Sequence, residues 1–176
     1  YLPAWSPDNS TIVFVSKRGA DSDRHDNYDL YLIEAKPGAT ARQLTTFEGP
    51  DCHPDWSSRP AWSPDGKLIA YSQGGAPKLL YYATYQLAVI SANGGAPKLL
   101  LPQLDRNMTQ PQWSAEGKTI YFLLEEDRTV LVARVAAEGV HLAALGADAL
   151  QQRRELVGTA PRDAGNVALA GEAAHD

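Results

Sequence analysis

The chain has 176 residues, of which 44% are hydrophobic, and this is enough for one domain with a buried core. Its 16 basic and 21 acidic residues leave a formal net charge of −5, which argues against a nucleic-acid surface because such a surface needs a basic face. No apolar run reaches the roughly 20 residues that span a bilayer, and the single Cys52 excludes an intrachain disulfide and a multi-cysteine zinc site.

Three copies of one motif, Pro-x-Trp-Ser followed by a turn and an apolar run, occur along the chain. The copies begin at Pro3, Pro60 and Pro111. Their tryptophans are 57 and 51 residues apart. A period near 50 with short strands is typical of a propeller blade rather than of a helical repeat.

Each copy carries a turn and then β-rich runs. Ser-Pro-Asp-Gly favours a turn because proline fixes φ and glycine accepts a positive φ, and Asn9, which replaces the glycine in the first copy, tolerates positive φ next best. The predicted strands are 11–16, 29–33, 41–45, 68–72, 85–90, 97–100, 119–124 and 129–135. These features predict an all-β fold, a partial β-propeller of about three antiparallel blades over residues 1–140.

The tryptophan at the same place in each unit has two interpretations. Packing between neighbouring sheets is the usual role of a large aromatic at a fixed repeat position, and we favour it over a ring of ligand-stacking aromatics. Trp56 lies outside the period, in a segment that matches the motif only in part. It is therefore the tryptophan for which a role other than packing between sheets stays open.

An acidic loop before the second strand alternates three potential metal ligands, Asp21, Asp23 and His25. An EF-hand loop needs glycine at its sixth position and glutamate at its twelfth, where this segment has Asp26 and Leu32. A solvated loop between two strands is the favoured interpretation, and no metal site is predicted.

Two further groups of residues are candidates for chemistry. Cys52 and His53 are adjacent, but a nucleophilic cysteine needs a histidine that faces it in space, which sequence neighbours seldom do. His53 could instead lie at a blade junction near the central channel. Glu125 and Glu126 sit at a charged hairpin tip, where paired carboxylates can do acid–base work or hold an amine, and a surface loop is the favoured interpretation.

The last 36 residues contain no aromatic residue and no blade pattern. Leu142, Leu145, Ala149 and Leu156 fall roughly on one helical face, so an irregular or weakly helical tail is predicted over 141–176. Its origin stays open between a divergent appendage, a disordered terminus and a frameshifted gene model, of which the last two are favoured. The chain also starts without methionine or a basic-then-apolar leader, so its start is expected to be cut and no targeting signal is identified.

The repeat resembles a known one. The sequence P-x-W-S-P-D-G-K-x-I-A-Y at 60–71, with D-L-Y-L-I at 29–33 and R-Q-L-T at 42–45, resembles the TolB-type β-propeller repeat. The run over 60–101 and the segments after it are similar to the N-terminal propeller of bacterial prolyl oligopeptidase-family serine peptidases, most of all the acylaminoacyl-peptidase-like or dipeptidyl-peptidase-like members. These later segments are Leu104–Asn107, 120–125 and Arg128.

This resemblance implies a propeller that gates a separate α/β-hydrolase domain with a Ser-Asp-His triad. The sequence contains no G-x-S-x-G nucleophile elbow, and none of its histidines has a matching context, so no catalytic residue can be transferred. The first hypothesis is a non-catalytic fragment of such a peptidase, acting as scaffold and substrate-access filter. Its partners would be the hydrolase domain of the same parent chain and the parent's peptide substrate.

The alternatives are a stand-alone TolB-like module that binds a protein partner and, more weakly, a metal-dependent enzyme that uses the acidic loop. We expect no cofactor, no nucleic-acid partner and no membrane span, and the compartment stays open between bacterial periplasm and cytoplasm. Propellers have about 4 to 8 blades. Three blades would leave unpaired edges, so we expect a poorly stable chain, aggregation or an edge-strand oligomer.

Overall fold

The structure, a computed structural model, describes residues 1–18, 22, 24–79, 82–139 and a strand at 142–145. Three four-stranded sheets follow one another along the chain, and strands adjacent in sequence are antiparallel neighbours. The first blade contains β1 (Ala4–Trp5), β2 (Thr11–Ser16), β3 (Asp29–Glu34) and β4 (Arg42–Gln43). The second contains β5 (Ala61–Trp62), β6 (Leu68–Gln73), β7 (Gln86–Ser91) and β8 (Lys98–Leu99). The third contains β9 (Met108–Trp113), β10 (Thr119–Glu126), β11 (Thr129–Ala136) and β12 (Leu142–Leu145).

The all-β fold with three antiparallel blades is confirmed. In the described part of the chain the only helices are two 3-10 turns, Pro54–Trp56 and Pro77–Leu79, and neither is long or apolar enough to cross a membrane. The first and second blades each have one strand more than the sequence predicts, because the Pro-x-Trp segment itself pairs with the strand after the turn. The third blade has two more, β9 for the same reason and β12 at its other edge.

The third blade also extends further than the predicted boundary at residue 140. A turn at Gly139, which has a φ of 80°, is followed by β12, which pairs with β11 from Leu142–Val135 to Leu145–Val132. The sequence analysis places Leu142 and Leu145 on one face of a helix, whereas the structure places both in strand β12. The rest of the predicted tail lies outside the described residues.

Apolar side chains fill the two junctions between blades. Alternation along each strand sends one set of residues to each face of its sheet. The junction of the first and second blades is formed mainly by Val13, Val15, Leu30, Leu32, Leu44, Cys52, Ile69, Tyr71, Ala88 and Ile90. The junction of the second and third is formed mainly by Ala70, Leu87, Val89, Leu100, Leu101, Leu104, Met108, Ile120, Phe122, Leu124, Ala133 and Val135.

The repeated tryptophan joins each blade to the one before it. The Trp62 indole N–H donates to the Ala4 carbonyl oxygen over 3.1 Å, and the Trp113 indole N–H donates to the Ala61 carbonyl oxygen over 3.0 Å. Both rings also pack against the junction cores. The packing interpretation is thus confirmed for these two tryptophans, whereas Trp5, with no described blade before it, is 56% exposed.

The turns also contact each other from blade to blade. Gly66 and Gly117 adopt φ values of 70° and 69°. A Cβ at Gly66 would lie 3.7 Å from the Pro7 ring, and one at Gly117 would lie 3.4 Å from the Pro64 ring. The proline of one turn and the glycine of the next therefore form a second repeated junction.

Substitution of Trp113 by phenylalanine is expected to lower the free energy of unfolding by about 1–2 kcal/mol. The change keeps an aromatic ring but removes the N–H that reaches Ala61, and a hydrogen bond contributes about 1 kcal/mol net. Urea denaturation followed by far-UV circular dichroism would measure it, with Tyr82→Phe on an exposed loop residue as the neutral control. Equal midpoints for the two variants would contradict the role of this bond.

Candidate functional site

The antiparallel strands place different connections at the two ends of the blades. One end carries the tight turns that begin at Ser6, Ser63 and Ser114, and we call it the turn end. The other end carries the connections between β2 and β3, β4 and β5, β6 and β7, and β8 and β9. We call it the loop end. Longer connections are where binding residues concentrate in propellers and other rigid scaffolds, and most of the candidate residues from the sequence lie there.

A cluster of four rings bridges the first two blades at the loop end. His53 meets Tyr28 edge-on with ring centroids 4.7 Å apart and lies 5.7 Å from Trp56. Trp56 in turn stacks on Tyr85 at 4.0 Å and 21°. We call these residues the aromatic cluster. His53 therefore lies at a blade junction, and Trp56 has a packing role although it stands outside the repeat.

Both nitrogens of His53 face polar groups. Nδ1 accepts the Asp55 backbone N–H over 3.2 Å and so caps the 3-10 turn Pro54–Trp56. Nε2 lies 3.6 Å from Asp26 Oδ1, and the same carboxylate oxygen is 3.6 Å from Lys17 Nζ. Through these contacts His53 links the loop between β2 and β3, which contains Asp26, to the 3-10 turn Pro54–Trp56.

Cys52 is fully buried in the core of the first junction. Burial raises the pKa of its thiol far above the ordinary range, so the thiolate that a nucleophile needs is not formed. Its backbone N–H donates to the Ser72 carbonyl oxygen, and its side chain packs in the core while the His53 ring lies in the aromatic cluster.

Gly74 makes room for Trp56. A Cβ at Gly74 would lie 2.7 Å from Trp56 Cη2 and 3.0 Å from Pro50 Cγ. The Trp56 ring is thus held between the Gly74 backbone and the Tyr85 ring. Because Gly74 and Tyr85 already pack against Trp56, a structural role for this ring is favoured over a role in stacking on a ligand.

Substitution of Gly74 by alanine should therefore displace Trp56 and destabilise the chain by about 1–3 kcal/mol. Near-UV circular dichroism would report the lost stacking, and urea denaturation the lost stability. The matched test is the double variant Gly74→Ala/Trp56→Phe, because a smaller ring relieves the clash. Its loss of stability should be less than the sum of the two single losses; simple additivity would show that Gly74 and Trp56 are not coupled.

The hairpin tip between β10 and β11 lies beside a cavity of about 490 Å³. Glu125 is exposed and accepts the Asn107 side-chain N–H over 2.8 Å. Glu126, in contrast, is buried and pairs with Arg106 over 2.9 Å. Glu125 is exposed as predicted, but both glutamates lie in β10 and not in the loop, and alternation along the strand turns Glu126 inward, so the surface prediction is wrong for Glu126.

A second cavity of about 520 Å³ adjoins the first, and Thr84 and Asp105 line both. We call the two cavities together the loop-end groove. Its floor includes Gln86, whose buried side-chain oxygen has no hydrogen-bond partner within the described residues. Its acidic and basic lining residues are Asp105, Arg106, Glu125, Glu126, Asp127 and Arg128. Acidic groups outnumber basic ones, so the groove favours polar ligands of neutral or positive charge.

Sequence reasoning missed a pair of buried carboxyl groups. Asp29 accepts hydrogen bonds from Gln43 at 2.9 Å and Thr45 at 3.4 Å, and desolvation raises its pKa to about 6. Asp51 is fully buried, neither of its carboxyl oxygens has a hydrogen-bond partner within the described residues, and desolvation raises its pKa to about 8. The Thr45 hydroxyl lowers this pKa, but by less than burial raises it.

The acidic loop gives no metal site in the part of the chain that the structure describes. Asp21 and Asp23 lie outside the described residues. His25 is exposed and Asp26 is engaged by Lys17 and His53. Within the described ranges no three histidine, cysteine or acidic side chains are grouped closely enough to hold a metal ion.

No protein-family model matches the sequence, but individual proteins do. The chain is 30% identical over 125 residues to dipeptidyl-peptidase 5 of Porphyromonas gingivalis, an alignment that covers 68% of this chain and 17% of that protein. It is 39% identical over 67 residues to the uncharacterized peptidase YuxL of Bacillus subtilis, covering 38% of this chain and 8% of that protein. The chain thus spans less than a fifth of the length of either.

Solved structures show the same fold. A putative TolB from Agrobacterium tumefaciens superposes with a TM-score of 0.60 at 20% identity, over 81% of this chain and 47% of that one. A prolyl endopeptidase superposes with a TM-score of 0.58 at 15% identity, over 83% of this chain and 21% of that one. The chain therefore has a TolB-like β-propeller fold, and its sequence is similar to parts of two peptidases.

Proposed function

We propose that the chain is the non-catalytic propeller part of a prolyl oligopeptidase-like serine peptidase, in which it acts as a scaffold and a substrate-access filter. The observation that carries this proposal is the match of its blades to two peptidases that are both several times longer. The hydrolase domain would belong to the same parent chain, and the substrate would be a peptide.

The loop end supports a role in admitting peptides. The two cavities of the loop-end groove measure about 490 and 520 Å³. Ligand-binding pockets are typically about 300–1,000 Å³, so each cavity is large enough for a short extended peptide segment. A rigid ring of blades excludes a folded protein but lets an extended peptide approach the loops. Selection by size would then come from the scaffold, while the groove's acidic lining would favour neutral or basic segments.

The chemistry of the described residues supports a non-catalytic role. The thiol of Cys52 is buried and protonated, and His53 is committed to Asp55 and Asp26. The sequence offers no nucleophile elbow for a serine. We therefore expect the 176-residue chain to hydrolyse no peptide by itself.

The test is the intact mass and reactivity of the native product in its source cells. An antibody against residues 60–101 would detect it on a blot, and a fluorophosphonate probe would label an active serine in the same band. A labelled band several times heavier than 19.1 kDa is expected. A band at 19.1 kDa that the probe does not label would reject the peptidase fragment.

The second candidate, a stand-alone TolB-like interaction module, is favoured by the likeness to the putative TolB, of which this chain covers nearly half. It predicts the band at 19.1 kDa and a protein partner that co-purifies with it. Peptidase activity in a heavier band excludes this alternative.

A further inference from the structure

We propose that Asn93 is a modification site, at which the side-chain amide loses ammonia without an enzyme and the residue becomes aspartate or isoaspartate. The reacting groups are the Asn93 side chain and the backbone nitrogen of Gly94, and the co-reactant is water. The proposal goes beyond the function proposed above, because it concerns a chemical change of this chain and not what the chain binds.

Asn93 lies at the tip of the turn between β7 and β8. Its backbone N–H donates to the Ser91 hydroxyl over 3.1 Å, and the Gly94 N–H donates to the Ser91 carbonyl oxygen over 2.9 Å. Asn93 is exposed, and its side chain makes no hydrogen bond within the described residues. The amide carbon of Asn93 is therefore free to turn towards the nitrogen of the next residue.

Gly94 makes the attacking nitrogen accessible. A side chain on the residue after an asparagine hinders the approach of its backbone nitrogen to the amide carbon, and glycine has none. Gly94 has a φ of 97°, and a Cβ placed on it would meet nothing within 4 Å, so no packing holds the tip of this turn. Only the bond to Ser91 has to open, and exposed turns open locally at little cost in free energy.

The reaction balances with water alone. The deprotonated Gly94 nitrogen attacks the side-chain carbonyl carbon of Asn93, a carbon–nitrogen bond forms, and the amide nitrogen takes up a proton and leaves as ammonia. Water then opens the resulting five-membered imide at either of its two carbonyl groups. Opening at the side-chain carbonyl gives aspartate, and opening at the main-chain carbonyl gives isoaspartate, whose backbone runs through the side-chain carbon. No group is oxidised or reduced.

The other asparagines in the described ranges each lack one of these features. Asn107 is held by hydrogen bonds of 3.0 and 2.8 Å through both ends of its amide. Asn27 precedes a tyrosine, and Asn9, which is exposed like Asn93, precedes a serine. Asn93 is thus the described asparagine that combines an exposed position, a free amide and a following glycine.

The turn at Asp65 and Gly66 shows how the fold suppresses the same chemistry at another site. Asp65 Oδ1 accepts the Ser63 hydroxyl over 2.7 Å and the Lys67 backbone N–H over 3.1 Å. These two hydrogen bonds lower the pKa of the Asp65 carboxyl, and an ionised carboxylate is a poor target for a nucleophile. The amide of Asn93 carries no charge and so has no such protection.

The modification changes both charge and backbone where the first and second blades meet. Asn93 lines a cavity of about 460 Å³ at the turn end, together with Arg42 of the first blade. The Arg42 guanidinium donates to the carbonyl oxygen of Ala92, the residue before Asn93. A carboxylate at position 93 adds a negative charge to the cavity that contains this guanidinium, and isoaspartate also lengthens the backbone by one atom next to Ala92.

The experiment is incubation of the 176-residue chain in mildly alkaline buffer made with heavy-oxygen water. Anion exchange and mass spectrometry of tryptic peptides follow. Wild type is expected to accumulate a form one unit more negative than its formal net charge of −5. The peptide 79–98, which contains Asn93, should gain one heavy oxygen, several times faster than the peptide 1–17, which contains Asn9.

Three variants test the assignment. Asn93→Gln should form little of the acidic species, because glutamine would have to close a larger ring. Gly94→Ala keeps the asparagine and should slow the reaction, although the positive φ strains an alanine. Asn9→Gln, at the other exposed asparagine, is the matched control and should behave as wild type. Far-UV circular dichroism checks that each variant is folded.

Three results would overturn the proposal. Conversion of the peptide 79–98 in urea but not in the folded chain would mean that the bond to Ser91 protects the turn. Equal conversion at Asn9 and Asn93 would mean that the glycine and the turn confer no preference. An acidic form that persists in Asn93→Gln would place the reaction at another residue. None of these outcomes depends on the native mass that tests the peptidase proposal.

Discussion

Replacement of Phe122 by alanine is expected to lower the free energy of unfolding by about 3–5 kcal/mol. The ring is almost fully buried, on β10 at the junction of the second and third blades, where it packs within one cluster with Ala70, Val89 and Ala133. Its removal leaves a cavity that the two sheets cannot close without shifting against each other. Because whole domains are stable by only about 5–15 kcal/mol, this is a large share of the total.

Urea denaturation followed by far-UV circular dichroism would measure the loss. Tyr82→Ala is the matched control, since it removes an aromatic ring from an exposed loop position and should change stability by less than about 0.5 kcal/mol. Phe122→Leu, expected to cost less, keeps the measurement available if the alanine variant does not fold. Equal effects of Phe122→Ala and Tyr82→Ala would mean that the blades do not share a core.

The blades themselves could be predicted from sequence because their determinants are local. Ser-Pro-Asp-Gly sets a turn through its own backbone preferences, and the Ser63 hydroxyl then donates to Asp65 while it accepts the Leu68 N–H. The hydroxyl thereby fixes the point where the strand begins. Each of these interactions spans at most five residues, so a short motif contains all of it.

The first strand of each blade could not be predicted in the same way. β1 and β5 are two residues long, and their pairing depends on the following turn bringing the chain back. Proline precedes both, and it lies within β9 as Pro111, where a sequence pattern argues against a strand. Tertiary packing at the blade junction overrides that local preference.

One repeated segment shows that its surroundings in the fold, and not its local sequence alone, determine its secondary structure. The sequence Gly-Gly-Ala-Pro-Lys-Leu-Leu occurs at 74–80 and again at 94–100. In the first copy, Pro77–Leu79 form a 3-10 turn, and in the second, Lys98–Leu99 form β8 and pair with Ala88 and Val89. The first copy follows β6, whose two edges are taken by β5 and β7, whereas the second copy follows β7, whose other edge is open to β8.

Burial determines which of the candidate residues are ionised, paired or exposed. The sequence marks Cys52, His53 and Glu126 by residue type, but whether a thiol is ionised or a carboxylate is paired depends on neighbours distant in the chain. Arg106 reaches Glu126 across 20 positions, and Tyr28 reaches His53 across 25. Asp51 carried no sequence signal at all, since nothing in its local segment indicates a fully buried carboxyl group.

Asp51 makes the stability of the chain depend on pH. In the unfolded chain an aspartate ionises near pH 4, whereas burial raises the pKa of Asp51 in the folded chain to about 8. Between these values the unfolded state releases a proton that the folded state keeps. The free energy of unfolding therefore falls as pH rises from about 4 to 8 and levels off above that. Asp29, whose pKa is raised to about 6, adds a smaller fall over the lower part of the same range.

Asp51→Asn should remove this dependence, because an amide of the same size does not ionise. One pKa unit corresponds to about 1.4 kcal/mol, so the stability of Asp51→Asn relative to wild type should rise by up to about 4 kcal/mol between pH 5 and pH 8. Urea denaturation at several pH values would measure it, with Asp127→Asn at the exposed hairpin tip as control. The amide leaves its own buried polar atoms to be satisfied, but that cost is the same at every pH, so the slope isolates the proton. A difference between wild type and Asp51→Asn that stays constant over this range would mean that Asp51 is ionised in the folded chain, and a cation or an ordered donor would then have to lie against it.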